Sequence, residues 1–360
     1  MVFLGPVSPY RGGIAHHGTM LAKALESQAE CLTISFSRQY PKWLFPGKSD
    51  KEEGVQNAED LNVEYLIDSI NPISWWTALK RIKSFNPSIL VIPWWHVYWF
   101  FCFGFLLKSL GGNRPRKTII VHNVVEHESA RWKQFLSKKL LAMGDQYLVH
   151  TEQDGEHLRR LFPGKSVAIC PLPLFDQFPR VTSSLPRRGR LELLFFGFVR
   201  PYKGLPTLLE AMAQLSGKDV YLTVLGEFWN GYEEASDFIQ ANALAGQVEV
   251  IDRYLPDAEA AHYFERCDVV VMPYLSATGS GIVPLAYHYE KPVLATSVGG
   301  IPDVVQPGRT GQLVEPGSSS ALSAAILGLL EGEQILDHEA MQGMRASLSW
   351  QNYAGRLLNG

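Results

Sequence analysis

The chain has 360 residues, of which 46% are hydrophobic and 19% are charged, and its formal net charge is -3. This length is enough for two domains with separate hydrophobic cores. The small negative charge argues against a nucleic-acid-binding protein, which normally needs a clearly basic face. The four cysteines are scattered without a CxxC pair, which favours reduced thiols in a cytoplasmic protein over disulfides or a cysteine metal site.

Short β-rich runs alternate along the chain with amphipathic segments, and loops with Gly or Pro separate them. This alternation predicts parallel sheets covered by helices on both faces. Because one sheet does not comfortably hold so many strands, we predict an α/β protein of two doubly wound domains. The predicted strands are Met1–Leu4, Cys31–Phe36, Ile89–Ile92, Thr118–Val121, Gln146–His150, Val167–Cys170, Leu191–Phe196, Tyr221–Leu225, Val248–Ile251, Val269–Met272, Pro292–Ala295 and Gly311–Val314. The predicted helices include Ala15–Ser27, Thr151–Leu161, Leu205–Leu215, Asp257–Glu265 and Ser319–Leu330.

Two segments of the N-terminal half bear on targeting and membrane anchoring. The opening MVFLGPVSPYRGG is typical of a strand and a glycine-rich loop, so no signal peptide is expected. The apolar segment Ile89–Leu110 reaches the roughly 20 residues that a bilayer crossing takes. Its Pro93 and His96 favour a buried strand, a loop and an apolar helix, and a membrane-embedded protein is the alternative. Exposed aromatic residues on that helix would suit peripheral contact with the inner face of a membrane.

A change in composition marks the expected domain boundary. The stretch Pro171–Arg190 is rich in Pro, Ser and Arg and has little periodicity, and a fresh buried strand follows it. The sequence therefore predicts one domain over residues 1–178 and a second over residues 179–345. Residues 346–360 read as a last helix.

The first loop with chemical character contains two consecutive glycines. Gly12 and Gly13 follow the first predicted strand, and a helix is predicted from Ala15. Glycines there let a ligand approach the backbone, and the N–H groups of a helix start suit an anion. The spacing is not GxGxxG, and no acidic residue ends the second strand, which argues against a dinucleotide dehydrogenase. A structural tight turn is the alternative.

The second loop places polar side chains at the end of the strand TIIV. His122 and Asn123 follow it directly, and His127 and Glu128 come soon after. Open α/β sheets bind ligands at the carboxyl ends of their strands. At this position His122 can donate a hydrogen bond to a sugar hydroxyl or assist charge development, and a histidine with a purely structural role is the alternative.

The third loop carries two cations. The strand LELLFF is followed by Gly197, Arg200, Lys203 and Gly204, and then by a helix. An Arg and a Lys beside a helix start can hold a diphosphate, although the loop is not a Walker A motif. Solvated surface cations are the alternative.

The fourth loop, Ser276–Gly281, consists almost wholly of small residues and precedes a helix predicted from near Ile282. The N–H groups of Gly279, Ser280 and Gly281, together with neighbouring hydroxyls, would suit a phosphate. A crossover loop without a ligand is the alternative.

In this order and spacing, the motifs resemble those of the retaining glycosyltransferases of family 4, the group 1 glycosyltransferases with the GT-B fold. The motifs that carry the resemblance are PYRGGIAHHGTMLAKAL, HNVVEHE, FFGFVRPYKGL, CDVVVMPYLSATGSGIVPLAY, KPVLATSVGGIPDVV, GRTGQLVEPG and SWQNYAGRLL. They span nearly the whole chain. The resemblance implies two facing Rossmann-like domains, with the acceptor in the N-terminal half and the nucleotide-sugar donor mainly in the C-terminal half. It also implies that the last helix crosses back to the N-terminal domain.

The implied activity is a hexosyltransferase reaction, in which a sugar moves with retention from a nucleoside diphosphate sugar to a saccharide or polyprenyl-linked saccharide. Cell-envelope polysaccharide synthesis is the implied setting. The sequence has no Asp-x-Asp motif, so no metal or cofactor is expected. Arg200, Lys203 and the loop at Gly281 would then neutralise the leaving diphosphate, while His122 contacts the donor sugar. The residues expected to bind the donor are Gly12, Gly13, Gly226, Arg253, Tyr254, Thr278, Gly279, Ser280, Gly281, Ile282 and Leu285.

The chain departs from the family pattern in two places. The family commonly has two glutamates with seven residues between them around the fourth loop, and the aligned positions are Ala277 and Leu285. Contacts to the sugar and ribose must then come from other groups. Phe198 stands where the family often has Arg, and Arg200 is expected to reach the same phosphate. Arg253 and Tyr254 lie where the nucleobase is expected, and they do not separate UDP from GDP.

Two alternatives of a different class follow from these departures. One is a degenerate GT-B protein that binds a nucleotide sugar, or a partner, without transfer. The missing glutamates favour it, whereas His122, Arg200 and Lys203 oppose it. The other is a different GT-B enzyme, such as a nucleotide-sugar epimerase or a phosphorylase, and the chain is short for a phosphorylase and lacks a recognisable pyridoxal-binding lysine context.

Overall fold

The computed structural model describes residues 1–41, 50–51, 61–111, 115–122, 131–176 and 178–359. The chain divides into two compact units. The first unit comprises Met1–Pro171 together with Trp350–Gly360, and the second comprises Leu172–Ser349. Both units are built on a parallel sheet, which confirms the prediction of two α/β units.

The first unit contains seven parallel strands in the order β3-β2-β1-β4-β5-β6-β7. The strands are β1 (Val2–Leu4), β2 (Leu32–Arg38), β3 (Val63–Asp68), β4 (Ile89–Trp94), β5 (Arg116–Val121), β6 (Gln146–Val149) and β7 (Ser166–Ile169). The helices between them are α1 (Gly13–Glu26), α2 (Pro72–Phe85), α3 (Phe100–Ser109), α4 (Arg131–Leu141) and α5 (Glu152–Leu161). Strand β3 is absent from the predicted strands. The reason is that β3 is an edge strand whose residues are mostly half-buried, which gives it no continuous apolar run.

The apolar segment of the first unit forms a strand, a short 3-10 turn and the helix α3, as predicted. Trp99 is completely buried and lies against Phe36, Trp95 and Phe103, with ring centroids 4.5, 5.2 and 5.7 Å away. Within the described ranges, no helix combines the length and the apolar character that a membrane crossing needs. The tryptophans of this segment therefore serve largely as core.

The last helix, α12 (Trp350–Asn359), belongs to the first unit. Its residues Trp350, Tyr353 and Leu357 are buried in one hydrophobic cluster with Leu21 and Leu25 of α1. The apolar face of α12 thus completes the core that α1 leaves open.

The second unit contains six parallel strands in the order β10-β9-β8-β11-β12-β13. These strands are β8 (Leu191–Phe196), β9 (Val220–Leu225), β10 (Val248–Ile251), β11 (Val269–Met272), β12 (Val293–Thr296) and β13 (Gly311–Val314). Its helices are α6 (Leu205–Gln214), α7 (Tyr232–Ala241), α8 (Asp257–Arg266), α9 (Ile282–His288), α10 (Ser319–Glu331) and α11 (His338–Ser347). The four inner strands are almost wholly buried, as expected for a sheet covered on both faces, whereas the edge strands β10 and β13 are mostly half-buried.

In each sheet the strand order reverses once, between β1 and β4 in the first unit and between β8 and β11 in the second. At such a point the two outgoing loops diverge and leave a crevice at the carboxyl ends of the strands, where open α/β sheets bind ligands. The second unit therefore points to the loop after β8, Gly197–Gly204, and the loop after β11, Pro273–Gly281.

These two loops are fixed to each other through Gly204. Its φ of +69° is a left-handed conformation, and a Cβ placed there would lie 1.9 Å from the carbonyl oxygen of Pro273. The N–H of Leu275 also donates to the carbonyl of Tyr202 at 2.7 Å. Only glycine lets the β8 loop approach the β11 loop this closely.

We predict that Gly204→Ala destabilises the second unit far more than Gly217→Ala. Gly217 is a matched control because its φ is +76° but a Cβ there would meet nothing within 4 Å. Both changes introduce backbone strain of about 1 kcal/mol, and the clash with Pro273 adds a further ~1–3 kcal/mol for Gly204→Ala. Thermal unfolding of both variants measures the difference, and equal melting temperatures would show that the loop contact is not tight.

Candidate functional site

The β8 loop holds a buried lysine at its centre. Lys203 is only 8% exposed, and its Nζ donates to the carbonyl of Phe196 at 3.4 Å and lies 5.6 Å from the centroid of the Tyr274 ring. Burial, followed by repulsion from Arg200, lowers the pKa of Lys203 to about 8. In the described ranges, no carboxylate lies within 4.0 Å of its Nζ. A buried cation without an opposite charge is costly unless a ligand supplies one.

Arg200 lies beside this lysine and is held by an aromatic ring. Its guanidinium stacks over Trp229 at 3.7 Å from the ring centroid, and Phe198 packs against the same indole at 5.5 Å. Trp229 and Phe198 are both exposed. The stacking fixes the guanidinium near the ends of the strands and leaves its planar N–H fork available for an oxyanion.

Two glycines bring the ends of β8 and β9 together. Gly226 follows β9 with a φ of +147°, and a Cβ there would lie 2.3 Å from the carbonyl oxygen of Gly197. A Cβ on Gly197 would itself lie 2.9 Å from the Nζ of Lys203. Gly226, a predicted donor-binding residue, therefore lies directly against the cation-bearing loop.

The small-residue loop Ser276–Gly281 is braced by the segment after β12. The N–H of Gly300 donates to the carbonyl of Thr278 at 2.8 Å, and a Cβ on Gly299 would lie 1.9 Å from the carbonyl oxygen of Ala277. The Oγ of Ser280 already accepts the N–H of Ile282 at 3.1 Å. Helix α9 has only seven residues, so its dipole is short. The start of this helix therefore attracts an anion less strongly than the sequence suggests.

Several predicted donor-binding residues are engaged elsewhere. Leu285 is 3% exposed and lies in a hydrophobic core cluster, so its side chain contacts core residues. Arg253 forms an exposed ion pair with Glu259, with a distance of 3.0 Å from Nη1 to Oε2. Tyr254 is half exposed on the same segment. Arg200, Lys203 and Gly226 lie together at the ends of β8 and β9, whereas the side chain of Leu285 lies in the hydrophobic core.

In the first unit, Gly12 has a φ of +97°, and α1 begins at Gly13. A Cβ on either glycine would meet nothing within 4 Å, so only the left-handed backbone of Gly12 requires glycine. His122 directly follows β5, and its backbone N–H donates to the backbone carbonyl of Trp94 at 2.9 Å. The predicted partners Asn123, His127 and Glu128 lie outside the described residues.

His122 lies in a group of imidazoles that sequence reasoning missed. The histidine cluster consists of His17 from α1, His122 and His150, the residue after β6. Each offers one ring nitrogen within 4.8 Å of the others. Burial is the main cause that lowers the pKa of all three, to about 4 for His150 and well below the usual value for His17 and His122. The sequence signal that could have indicated this cluster is His150, a polar residue at the end of the buried strand β6.

Comparison with known proteins identifies the second unit. Residues 190–332 match the family model described as Glycosyl transferases group 1. The chain carries a group 1 glycosyltransferase domain. A D-inositol 3-phosphate glycosyltransferase from Arthrobacter sp. (strain FB24) is 31% identical over 202 residues, or 54% of this chain and 45% of that protein. The GDP-mannose:glycolipid 4-beta-D-mannosyltransferase of Xanthomonas campestris pv. campestris is 28% identical over 212 residues, or 58% of each chain. The matched part thus spans about half the length of these curated relatives.

Structural similarity extends beyond the group 1 domain to both units. The sucrose-phosphate synthase of Thermosynechococcus elongatus aligns with 99% of this chain and 97% of its own, with a TM-score of 0.73 and 19% sequence identity. The chain therefore has the GT-B fold, as predicted.

We predict that Lys203→Met makes the group 1 domain more stable than the wild type at pH 7. The folded pKa of about 8 lies below the usual 10.5, so the unfolded chain binds more protons between these values. The penalty for burying the cation is therefore complete below pH 8 and is relieved as pH rises towards 10.5. Its size corresponds to about 3 kcal/mol.

Thermal unfolding of both proteins in phosphate-free buffer at pH 7 and pH 10 measures this penalty. The stabilisation of Lys203→Met should shrink at the higher pH. A variant that is less stable than the wild type at pH 7 would contradict the assignment of Lys203 as a buried, uncompensated cation.

Proposed function

We propose that this protein is a retaining glycosyltransferase that moves a sugar from a nucleoside diphosphate sugar to a saccharide or lipid-linked saccharide acceptor. The single observation that carries this proposal is the buried Lys203 beside Arg200 at the crevice between β8 and β11. A diphosphate is the ligand whose charge would compensate both cations at once. Cell-envelope polysaccharide synthesis is the setting that the resemblance supports.

The proposed chemistry depends on stabilising the leaving group. As the bond between the sugar and the diphosphate breaks, negative charge grows on the phosphate oxygens. Lys203 would contribute a point charge from a site with little water, and Arg200 would contribute a planar fork with several donors. Because the cations are already in place, this stabilisation needs little rearrangement during the reaction.

We propose that the leaving diphosphate is neutralised by these side chains without a metal ion. The sequence has no Asp-x-Asp motif, and the described loops after β8 and β11 contain no carboxylate that could hold a divalent cation. For a retaining reaction, the departing phosphate would accept the proton of the attacking hydroxyl, so no protein nucleophile is required. His122 would contact a hydroxyl of the donor sugar.

The relatives support the classes of donor and acceptor. The Xanthomonas protein is named for GDP-mannose and a glycolipid, and the Arthrobacter protein is named for D-inositol 3-phosphate. These names fit a nucleoside diphosphate sugar as donor and a hydroxylated, often lipid-linked or anionic acceptor.

We predict that one nucleoside diphosphate sugar raises the melting temperature of the protein in a panel of UDP- and GDP-sugars. Binding stabilises the folded state by about 2.7 kcal/mol when the ligand is present at a hundred times its Kd. The same donor should show slow hydrolysis or transfer, and the product should keep its anomeric configuration by proton NMR. A product of inverted configuration would exclude the retaining reaction.

Lys203→Ala should lower turnover with that donor by about a hundredfold or more, because one electrostatic donor to the leaving group is lost. Lys218→Ala is the matched control, since Lys218 is exposed in the turn after α6. If the wild type binds a nucleotide sugar but shows neither transfer nor hydrolysis, the degenerate binding protein becomes the better account.

We also propose peripheral contact between the first unit and a membrane. Large apolar side chains are exposed on three successive helices, and α3 contacts both α2 and α4. The exposed residues are Ile73 and Trp76 on α2, Phe101 on α3, and Trp132 and Phe135 on α4. Aromatic side chains of this kind anchor proteins at the lipid headgroup level.

Helix α4 combines these aromatics with positive charge. Lys138 and Lys139 lie in its last turn, and the Nζ of Lys139 is 4.6 Å from the ring centroid of Phe135. A basic amphipathic helix with exposed aromatic residues is typical of a helix that lies on an anionic membrane surface. Such a surface would place a lipid-linked acceptor close to the protein.

The double variant Trp132→Ser/Phe135→Ser should reduce flotation of the protein with vesicles that contain anionic lipid, while its melting temperature stays close to that of the wild type. The control is Tyr232→Ser, which changes an exposed aromatic residue of α7 in the second unit. Vesicles of neutral lipid alone should bind weakly, because the lysines then lack their partner. Equal flotation of all three proteins would rule out this surface.

A further inference from the structure

The histidine cluster contains a chain of hydrogen bonds that determines which nitrogens carry protons. The carbonyl oxygen of Cys170 lies 3.1 Å from the Nδ1 of His150. The Nε2 of His150 lies 3.2 Å from the Nδ1 of His122. In the described part of the chain, the Nε2 of His122 is shielded from solvent and has no hydrogen-bond partner.

The direction of this chain follows from its first member. A carbonyl oxygen can only accept, so the Nδ1 of His150 must carry a hydrogen. A neutral imidazole has one N–H, so the Nε2 of His150 is left with a lone pair and must accept from the Nδ1–H of His122. The Nε2 of His122 then also carries a lone pair and no hydrogen.

The surroundings keep all three imidazoles neutral. His17 and His150 are buried, and within the described ranges their ring contacts and hydrogen bonds are with other histidines, with Trp350 and Tyr353 from α12, and with the carbonyl of Cys170. Burial holds the pKa of His150 at about 4 and that of His122 well below its usual range. At neutral pH the protonated form, which would reverse the direction of the chain, is therefore disfavoured.

We propose that His150 is a positioning residue that fixes the tautomer of His122, so that the Nε2 of His122 accepts a hydrogen bond from the ligand instead of donating one. This inference rests on the proposed function. The saccharide group that contacts His122 is then a hydroxyl, and it donates the hydrogen bond. An ether, a fluorine or a carboxylate at that position has no hydrogen to give and would leave a buried lone pair unpaired.

A metal ion is the competing use of the same side chains. Three imidazoles with nitrogens within 4.8 Å of one another can bind zinc. The hydrogen-bond chain disfavours this use, because both ring nitrogens of His150 already have protein partners and its free lone pair faces the N–H of His122.

The tautomer is measured on the ligand-free, full-length protein with ¹⁵N-labelled histidine at pH 7. Long-range ¹H–¹⁵N correlation spectra distinguish a ring protonated at Nδ1 from one protonated at Nε2, and the His122 signals are assigned by their absence in His122→Asn. We expect His122 and His150 both to carry hydrogen at Nδ1 only. A His122 ring protonated at Nε2, or stoichiometric zinc in the purified protein, would overturn the proposal.

Activity tests whether this tautomer matters for the reaction. His150→Phe removes the acceptor for His122 and should lower kcat/KM by about tenfold or more, whereas His150→Gln keeps an oxygen near the position of Nε2 and should recover most of it. His157→Gln, on the following helix α5, is the matched control. If His150→Phe matches this control in activity, His150 does not position His122.

The two kinds of failure are separable. A wild type that is inactive with every donor tested contradicts the proposed function, while the NMR result on the free protein still decides the tautomer. An active wild type with hydrogen on the Nε2 of His122 contradicts the tautomer proposal alone.

Discussion

The burial of one cation determines the character of the second unit. Lys203 is shielded because the β8 loop and the β11 loop are held together at Gly204 and by the hydrogen bond from Leu275 to Tyr202. Within the described ranges, no carboxylate compensates the charge, and Arg200 adds a second positive charge beside it. The fold thus maintains a desolvated positive site at the reversal of its strand order, and a diphosphate is the ligand proposed to relieve the cost.

The two units use the same sheet topology for different chemistry. The second unit presents positive charge, which suits the charge that develops on a leaving phosphate. The first unit instead holds three imidazoles whose pKa is lowered, and two of them follow strands β5 and β6 directly. An imidazole nitrogen with a lone pair accepts from a hydroxyl but not from an ether, which suits the proposed contact with a sugar hydroxyl.

Strong local patterns account for the parts that were predictable from sequence. The strand LELLFF and the following Gly197, Arg200 and Lys203 stand out because a buried apolar run ends abruptly in glycine and cations. The edge strand β3 was missed because its residues are mostly half-buried and form no continuous apolar run. The hydroxyl of Ser280 accepts the N–H of Ile282, which an anion would otherwise bind. The sequence shows a serine at this position but does not show which N–H it binds.

Tertiary contacts account for the rest. The state of His122 depends on His150 and, through it, on the carbonyl of Cys170, and these three residues follow three different strands. The pairing of Arg253 with Glu259 depends on how the loop before α8 folds back on that helix. A sequence pattern can place such residues at strand ends, but it cannot say which partner each one finds.

The most direct test of the central claim is a crystal structure of the protein with UDP or GDP, whichever binds. The account predicts that the β-phosphate lies within hydrogen-bond distance of both the Nζ of Lys203 and the guanidinium of Arg200. A diphosphate that binds elsewhere, with Lys203 still lacking an anionic partner, would contradict it.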